Sequence, residues 1–452
     1  MELFGTAGIR GGVDERVTPE LALSVGRAAG QDGGEFAVGH DGRVTSPALA
    51  DAVSSGLESA GVEVSRIGQV PTPALAYASR GRRGVMVTAS HNPPTDNGLK
   101  LFVDGQEYDD EAEATIERRV ADGVEPAPWA VWGDTIAEDV LSAYRSAVVD
   151  YAREFGADPG RLTVAVDCGN GMAGVATPQV LRELGADVVS TEANVDGHFP
   201  ARESKPTPET LGSFSRFVDD STADLGIAHD GDADRIVVID GDGEIVHEDT
   251  VVAMLAEEYT DAAAVEDPVV VTTPNASGRI DERVEAAGGR VERVRLGALH
   301  EGIARVRRDA MSDTEVVFAA EPWKHIHPVF GGWIDGVASA AIITRLVAER
   351  GLAKRRAAIT ERPYRKVSVD CPDGHKPAVM TALESDLPDA FPETEVDTDH
   401  GVRLTFPDEA WTLVRPSGTE PYVRIYAESD DVDGLVRRVR DVVESAVESA
   451  ES

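Results

Sequence analysis

Short apolar runs alternate with longer segments of helical periodicity from one end of this 452-residue chain to the other. Alternation of this kind predicts repeated strand–helix units whose strands form mostly parallel sheets. A chain of this length is also too long for one hydrophobic core, because single domains usually contain ~100–200 residues. We therefore expect an α/β protein of three or four domains.

Three of the apolar runs share one layout, in which a buried-strand signal ends in a polar loop. They are Gly84–Thr88 leading into Ala89–Pro93, Leu225–Ala228 leading into His229–Asp232, and Val316–Phe318 leading into Ala319–Pro322. In open α/β sheets, ligands bind beyond the carboxyl ends of the strands. The shared layout predicts that three loops, from three related domains, face one cleft.

Changes in composition suggest where the domains begin and end. A stretch rich in proline and tryptophan, Asp122–Asp134, precedes a strand that opens at Leu162, and further boundaries fall near Glu248 and near Glu361. We predict four domains, at residues 1–135, 136–248, 249–361 and 362–452. The last one contains three strand-like runs followed by a helix that starts at Val432, which indicates a smaller α+β domain.

The charge balance limits what the chain can bind. Its 81 Asp and Glu against 43 Lys and Arg give a net charge of −38, and only six of the basic residues are lysine. Such a field repels nucleic acid and anionic membranes. It also repels phosphorylated ligands unless local arginines or a metal ion reverse the potential. An acidic surface poor in lysine is typical of a protein from a high-salt, halophilic cytoplasm, where salt screens the repulsion.

Other features of the sequence indicate a cytoplasmic location. The two cysteines, Cys168 and Cys371, are far apart and form neither a disulfide framework nor a C-x-x-C metal or redox motif. The sequence contains no apolar run near the ~20 residues of a membrane helix and no N-terminal signal. We expect a monomer or homodimer that binds a small molecule, without a membrane or nucleic-acid partner.

A cluster of aspartates predicts a metal site. Asp230, Asp232 and Asp234 alternate along one loop, where three carboxylates repel one another strongly unless a cation binds. Such hard oxygen ligands suit Mg²⁺ or Ca²⁺, and Mg²⁺ keeps coordination positions open for phosphate oxygens. An EF-hand is excluded, because its sixth and twelfth positions require glycine and glutamate, whereas this chain has Arg235 and Gly241 there.

Two further loops carry groups that suit phosphate chemistry. Ser90 directly follows a buried strand, where it is either a nucleophile that carries phosphate or part of a proline-capped turn. The loop Arg415–Arg424 contains Ser, Gly and Thr between two arginines, so backbone N–H groups and hydroxyls can converge there on an anion. The glycine-rich stretch Gly5–Gly12 lacks the Gly-Lys-Ser/Thr ending of a P-loop.

Together these segments resemble the α-D-phosphohexomutase family, which includes phosphoglucomutases, phosphomannomutases and phosphoglucosamine mutases. Four motifs occur in family order along essentially the whole chain. They are Phe4–Gly11 (FGTAGIRG), Thr88–Pro93 (TASHNP) with Lys100, Asp230–Arg235 (DGDADR) and Arg415–Pro421 (RPSGTEP). The resemblance implies a four-domain α/β architecture, with three related α/β domains and a smaller C-terminal α+β domain around a central cleft.

The family resemblance also implies a role for each matching residue. Ser90 carries phosphate in the active enzyme after priming by a sugar bisphosphate, and Mg²⁺ is held by the three aspartates and a phosphoserine oxygen of Ser90. Lys100 and Arg10 serve acid–base and electrostatic functions beside Ser90. His91 either orients phosphate or stabilises the turn, and Arg235 belongs to the metal loop and binds substrate. The residues implied in binding the substrate phosphate are Arg415, Ser417, Gly418, Thr419 and Arg424.

One motif departs from the family pattern. Where the family usually has Gly-Gly-Glu-x-Ser-Gly-His, this chain has Ala-Ala-Glu-Pro-Trp-Lys-His over residues 319–325. In the family this loop reads the sugar hydroxyls, so Glu321, Trp323 and His325 are expected to bind substrate, with packing in the core as an equal alternative for Trp323. The Glu-Pro pair is more similar to archaeal phosphoglucosamine mutases and phosphopentomutases than to bacterial phosphomannomutases.

The resemblance implies an isomerase, an intramolecular phosphotransferase that interconverts the 1-phosphate and 6-phosphate of glucosamine, mannose or glucose. A phosphopentomutase of the same family is the alternative substrate assignment. A sugar-phosphate-binding protein without catalysis is a second class, which the retention of Ser90, Lys100 and the three aspartates argues against. A metal-dependent phosphatase is a third, but its Asp-x-Asp nucleophile would follow the first strand, whereas Asp230 lies mid-chain.

Overall fold

The computed structural model describes residues 3–5, 8–418 and 420–451. Within them the chain forms two compact units. The first unit consists of Met1–Val251 and Val317–Arg356, and the second of Val252–Val316 and Ala357–Ser452. This division is coarser than the four predicted domains, whose boundaries stay a prediction.

The N-terminal part of the first unit is built on a mixed sheet of seven strands. The strands are β1 (Ile9–Gly12), β2 (Glu35–His40), β3 (Glu63–Gln69), β4 (Arg83–Val87), β5 (Asp96–Val103), β6 (Gln106–Glu107) and β7 (Thr135–Ala137). They are arranged in the order β1-β5-β4-β2-β3-β7, and β6 pairs with β5. The helices are α1 (Pro19–Gly30), α2 (Ser46–Ser59), α3 (Thr72–Ala78) and α4 (Asp110–Asp122).

Helices α1 and α2 approach each other closely because each presents a glycine at their contact. A Cβ atom on Gly26 would collide with the carbonyl oxygen of Val53, and a Cβ atom on Gly56 would collide with that of Leu23. Glycine lacks this atom, so the two backbones pack directly. Because α2 begins immediately after the turn 41–45, the packing also fixes this turn at the carboxyl end of β2.

The next part of the first unit is a four-stranded sheet in the order β11-β10-β8-β9. Its strands are β8 (Thr163–Asp167), β9 (Asp187–Thr191), β10 (Leu225–His229) and β11 (Ile236–Asp240). Its helices are α5 (Leu141–Ala152), α6 (Thr177–Leu184), α7 (Gly212–Asp219) and α8 (Glu248–Ala262), of which α8 continues into the second unit. Strands β10 and β11 are nearly continuous apolar runs that are buried along almost their whole length, as expected for strands covered on both faces.

Residues 263–356 contribute elements to both units. The elements are β12 (Asp267–Thr272), α9 (Arg279–Ala286), β13 (Arg290–Arg293), α10 (Leu299–Asp309), β14 (Thr314–Glu321), β15 (Lys324–Ile326), α11 (Gly336–Arg350) and α12 (Leu352–Arg356). In the second unit, β12 and β13 pair in parallel. In the first unit, β14 and β15 form an antiparallel hairpin. The hairpin carries the loop that departs from the family motif.

The C-terminal part of the second unit is an antiparallel sheet with the order β16-β20-β19-β18-β17. Its elements are β16 (Tyr364–Asp370), α13 (Lys376–Ala390), β17 (Glu395–Asp397), β18 (Val402–Thr405), β19 (Trp411–Pro416), β20 (Tyr422–Glu428) and α14 (Val432–Glu451). The predicted α+β organisation is present, although the sequence patterns missed α13, β17 and β19. Among the described residues, every helix falls short of the length and apolar character needed to cross a lipid bilayer.

The sequence predicts mostly parallel sheets, but each strand that precedes one of the three polar loops pairs antiparallel with the strand that follows the loop. Strand β4 pairs antiparallel with β5, β10 with β11, and β14 with β15. The connecting loops are the reason. A parallel return needs a crossover of about a dozen residues or more, whereas the loops 88–95, 230–235 and 322–323 are shorter. The result is a mixture of parallel and antiparallel pairing, in which these loops form sharp turns at strand ends.

Candidate active site

Ser90 lies in a tight loop that begins where β4 ends. It is fully buried, and its φ of +50° lies in the left-handed region, which costs a non-glycine residue on the order of 1 kcal/mol. The neighbouring Thr88 holds this backbone, because its Oγ1 accepts a hydrogen bond from the Ser90 N–H at 2.9 Å. Ser90 is therefore presented in one defined conformation.

The Ser90 hydroxyl faces the aspartate loop. Its Oγ donates a hydrogen bond to Asp230 Oδ2 at 2.8 Å and lies 3.3 Å from Nδ1 of His91. Burial, together with the nearby charges of Arg235 and Arg10, lowers the pKa of His91 to about 2. His91 is thus a neutral ring that can orient a hydroxyl or a phosphate by hydrogen bonding.

The aspartate loop connects β10 to β11 and brings three buried carboxylates together. Asp230, Asp232 and Asp234 each offer an oxygen within 4.8 Å of the others. Gly231 permits this arrangement, since a Cβ atom there would lie 2.6 Å from the carbonyl oxygen of Ser90. Oδ1 of Asp232 and Oδ1 of Asp234 are buried and have no hydrogen-bond partner within the described parts of the chain. Buried carboxylate oxygens without a donor suit a hard cation such as Mg²⁺.

The electrostatics of the three carboxylates agree with such a site. Burial raises the pKa of Asp230 well above its ordinary value, and the charges of Asp234 and Asp232 raise it further. Burial opposes ionisation of Asp234 as well, but Lys100 and Arg235 outweigh it and lower the Asp234 pKa. The aspartate loop alone therefore disfavours full ionisation, and a bound cation would remove this cost.

Lys100 extends from β5 into the same cluster. Its Nζ lies 2.9 Å from Asp234 Oδ2, 3.5 Å from Asp232 Oδ2 and 3.8 Å from Glu107 Oε1. Burial would lower the Lys100 pKa, but the carboxylates more than offset burial, so the pKa is raised. Lys100 is a charged ammonium and can donate a proton or stabilise negative charge.

Two arginines add positive charge near Ser90. Arg235 Nε lies 3.7 Å from Asp230 Oδ2 and 3.8 Å from Asp234 Oδ1, while its backbone N–H donates to Asp230 Oδ1 at 3.2 Å. Arg10 is on β1, opposite Gly98 of β5. Nε of Arg10 is buried and lacks a hydrogen-bond partner among the residues described here. In a chain with a net charge of −38, these cations create a local site that accepts an anion.

The hairpin of β14 and β15 carries the divergent loop. Lys324 Nζ lies 3.3 Å from Glu321 Oε2, and Lys324 forms a β-bridge with Arg235 of the aspartate loop. Trp323 has a φ of +66°. Its side chain packs against a buried cluster around Val237 and Ile239, so its observed contacts are those of a packing residue. His325 is 1% exposed, and its Nδ1 lies 2.9 Å from Ser339 Oγ. Direct substrate contact by Trp323 and His325 stays a prediction.

The predicted phosphate-binding loop lies in the second unit, between β19 and β20. Arg415 and Arg424 are directly opposite each other in these strands. Arg415 donates to the Tyr426 hydroxyl at 3.0 Å, and Arg424 to the Tyr422 hydroxyl at 2.7 Å. In both arginines Nε is buried without a hydrogen-bond partner in the described residues. Thr419, like Thr6 and Ala7 of the N-terminal motif, lies outside the described residues.

A buried lysine shapes the same loop. Nζ of Lys376, at the start of α13, donates to the carbonyl oxygens of Ser417 at 2.7 Å and Glu420 at 2.6 Å. The backbone on both sides of Gly418 is thereby tied to one ammonium group. Lys376 thus fixes the turn, with the two opposite arginines at its base.

Comparison with protein families gives these loops a common context. The chain matches the family models of phosphoglucomutase/phosphomannomutase, namely alpha/beta/alpha domain I over residues 1–126, alpha/beta/alpha domain II over 143–243 and the C-terminal domain over 367–445. It belongs to the phosphoglucomutase/phosphomannomutase family. The resemblance found in the four motifs is confirmed, and the chain is a phosphosugar mutase of the isomerase class.

Individual relatives agree with this membership in the mutase family. A phosphopentomutase from Thermococcus kodakarensis is 42% identical over 437 residues, which cover 95% of this chain and 94% of the relative. A probable phosphoglucosamine mutase from Methanopyrus kandleri is 41% identical over 450 residues, or 97% and 96% of the two chains. The solved structure of a family protein from Burkholderia thailandensis has a TM-score of 0.86 at 25% identity and covers 100% of this chain and 98% of its own. The predicted multi-domain architecture and archaeal branch are thus confirmed.

The structure brings together most of the mutase residues predicted in the first unit. Ser90, His91, Lys100 and the three aspartates form one connected cluster, joined by the contacts described above, and Arg235 borders it. The residues predicted to bind phosphate, Arg415, Ser417, Gly418 and Arg424, lie in one loop of the second unit or in the strands that flank it.

Sequence reasoning missed the residues that support this candidate site. Thr72 at the start of α3 donates through Oγ1 to Asp232 Oδ2 at 2.5 Å, and its N–H donates to the Asp232 carbonyl at 3.0 Å. Asp41 and Arg43, in the loop after β2, contact the Ser90 loop. A signal for Asp41 and Arg43 was present, because their polar loop also follows a buried strand.

Proposed function

We propose that this chain interconverts the 1-phosphate and 6-phosphate of a hexose, namely glucosamine, mannose or glucose phosphate, through a phosphoserine at Ser90. The observation that carries the proposal is the position of the Ser90 hydroxyl, which donates to Asp230 beside two further carboxylates with unpartnered buried oxygens in the described residues. A serine beside a cation site is suited to receive and donate a phosphoryl group.

In the proposed reaction, phosphorylated Ser90 donates its phosphoryl group to the free hydroxyl of a sugar phosphate. The P–O bond to Ser90 Oγ breaks while a P–O bond to the sugar oxygen forms, which yields a bisphosphorylated sugar. Lys100 gives a proton to the departing Ser90 oxygen, and the proton lost by the sugar hydroxyl restores the ammonium group. The bisphosphate then turns and returns its other phosphate to Ser90 by the reverse step.

The surrounding residues are assigned roles that follow from their charge. Asp230, Asp232, Asp234 and a phosphoserine oxygen of Ser90 would hold Mg²⁺, which neutralises charge on the transferring phosphoryl oxygens when bound. Arg10 and Arg235 supply further positive charge, and neutral His91 orients the phosphate. The residues assigned to the phosphate that is not being transferred are Arg415, Ser417, Gly418, Thr419 and Arg424. A sugar bisphosphate is the expected primer.

Intact-mass measurement and phosphopeptide mapping test this function. Purified protein is incubated with Mg²⁺, a trace of sugar bisphosphate and individual hexose or pentose phosphates, and the products are followed by phosphorus NMR. We expect phosphate on Ser90 that exchanges with one substrate while the other isomer accumulates. Release of free phosphate would instead indicate a phosphatase, and an unmodified, non-exchanging Ser90 would indicate a binding protein.

A phosphopentomutase activity is the second candidate, and the Glu321–Lys324 pair favours it. Glu321 belongs to the motif that reads sugar hydroxyls in the family, and here an ammonium group pairs with its carboxylate at 3.3 Å. A carboxylate whose charge is partly neutralised would accept hydrogen bonds from fewer sugar hydroxyls. The larger side chains of this loop also leave less room for the sugar, and both effects suit a shorter sugar. The Thermococcus kodakarensis relative, a phosphopentomutase, supports the same assignment.

Replacing Lys324 with alanine tests whether this pair selects the sugar. If it does, we expect the ratio of kcat/KM for pentose phosphate to that for hexose phosphate to fall at least about tenfold, because one altered polar contact changes discrimination by about 1–3 kcal/mol. Lys354→Ala is the matched control, since Lys354 is an exposed lysine of the same unit. An unchanged ratio in Lys324→Ala would show that Lys324 does not select the substrate.

A further inference from the structure

Arg43 is a buried arginine whose hydrogen bonds converge on the segment that contains Ser90. The residue is 1% exposed, and its two terminal nitrogens donate to four backbone carbonyls. The acceptors are the carbonyl oxygens of Ser90 (2.8 Å), Asn92 (2.7 Å), Pro93 (2.6 Å) and Asp96 (2.9 Å). We propose that Arg43 is the positioning residue of this mutase, which holds Ser90 in the conformation required for phosphoryl transfer.

Asp41 completes the arrangement by linking Arg43 to the other side of Ser90. Asp41 Oδ2 accepts from Arg43 Nε at 3.1 Å and from Thr88 Oγ1 at 2.6 Å. Thr88 Oγ1 in turn accepts the Ser90 N–H at 2.9 Å. The N–H and the carbonyl of Ser90 are therefore both tied to one carboxylate–guanidinium pair. This double attachment accounts for the stability of the left-handed backbone at Ser90.

Arg43 acts through Ser90 and not on the substrate. A guanidinium group has five N–H donors, and here one is directed to Asp41 and four to the Ser90–Asp96 segment. The pairing with Asp41 also neutralises its charge, and Phe199 covers the guanidinium at 5.1 Å from its ring centre. With its donors engaged and its charge paired, Arg43 is not suited to bind a phosphate ion.

The position of the Ser90 carbonyl also affects the aspartate loop. Arg43 holds this oxygen, which packs against Gly231. Gly231 lies in the chain between Asp230, which accepts the Ser90 hydroxyl, and Asp232, a second proposed metal ligand. A displacement of about 1 Å at a reacting group reduces turnover by about 10²-fold. Loss of Arg43 should therefore affect the transfer step much more than substrate binding.

Substitution of Arg43 by methionine and by lysine tests the proposal, which rests on the proposed mutase function. Methionine removes all five donors, whereas lysine keeps the charge and at most three donors. We expect kcat to fall about 10²-fold in Arg43→Met and about tenfold in Arg43→Lys, with KM within about threefold of the parent enzyme.

Arg345→Met is the matched control for a purely structural effect. Arg345 is a buried arginine of α11 that also donates to a backbone carbonyl, that of Phe155, at 2.7 Å. Its loss should lower the melting temperature but leave kcat within about threefold. Equal losses of kcat in Arg43→Met and Arg345→Met would overturn the proposal. If Arg43→Met does not fold, Arg43→Lys decides, and an unchanged kcat in that variant would also overturn it.

Amide hydrogen exchange provides a readout that does not depend on activity. In Arg43→Met or Arg43→Lys, exchange should accelerate at least about tenfold in the peptide that covers residues 88–96 and stay unchanged there in Arg345→Met. If the parent protein turns over no sugar phosphate, the mutase function fails, but this local effect still establishes that Arg43 positions Ser90. Unchanged exchange over 88–96 would contradict the positioning role even in an active enzyme.

Discussion

Replacement of Ser90 by alanine is expected to lower kcat by at least about 10⁴-fold, because it removes the oxygen that carries the phosphoryl group. The fold should persist, since the Ser90 backbone is held by Thr88 and Arg43, whose contacts do not involve the hydroxyl. Steady-state kinetics together with intact mass after incubation with bisphosphate check this result. The variant should show neither turnover nor added phosphate.

Ser204→Ala is the control for the Ser90 experiment. Ser204 is 4% exposed, and its hydroxyl donates to the Asn92 carbonyl in the same loop at 3.1 Å. This variant also loses a buried hydroxyl near the site, but it keeps Ser90, the proposed phosphoryl carrier. Its kcat should therefore stay within about tenfold of the parent value. If Ser90→Ala retained more than about one hundredth of the parent kcat, Ser90 would not be the phosphoryl carrier.

Asp230→Asn is the second variant with a large expected effect, and its signature is loss of activity without loss of stability. Removal of one proposed metal ligand should lower kcat at least about 10³-fold, because a catalytic cation contributes several kcal/mol. In metal-free protein the variant should melt at the same or a higher temperature. Burial, together with the charges of Asp234 and Asp232, disfavours the ionised carboxylate of Asp230, and an uncharged amide of the same size avoids this cost.

Thermal melts with and without Mg²⁺ separate the proposed role of Asp230 in metal binding from its effect on the stability of the metal-free protein. The parent protein should be stabilised by Mg²⁺ as the ion saturates its site, whereas Asp230→Asn should show little or no such shift. Asp242→Asn, an exposed aspartate beyond β11, loses the same charge and should behave like the parent. A normal Mg²⁺ shift in Asp230→Asn would contradict the assignment of Asp230 as a ligand.

The sequence by itself determined the family and the chemical inventory of the site. Three alternating aspartates, a serine after a buried strand and an arginine-containing Ser-Gly-Thr loop are local patterns, and their order along the chain matched one family. Local patterns of this kind are visible because each motif lies within a few residues, where spacing alone dictates geometry. The α/β class followed from the alternation of apolar runs for the same reason.

The tertiary structure alone decided which residues support these motifs and which loops join antiparallel strands. The bonds from Arg43 to the Ser90–Asp96 segment cross about 50 residues, and the bond from Ser90 to Asp230 crosses 140. Hydrogen bonds over such separations leave no periodic trace in one sequence. The packing of the partly buried Trp323, the burial of His325 and the antiparallel pairing of β5, β11 and β15 likewise depend on packing and loop closure, which involve residues distant along the chain.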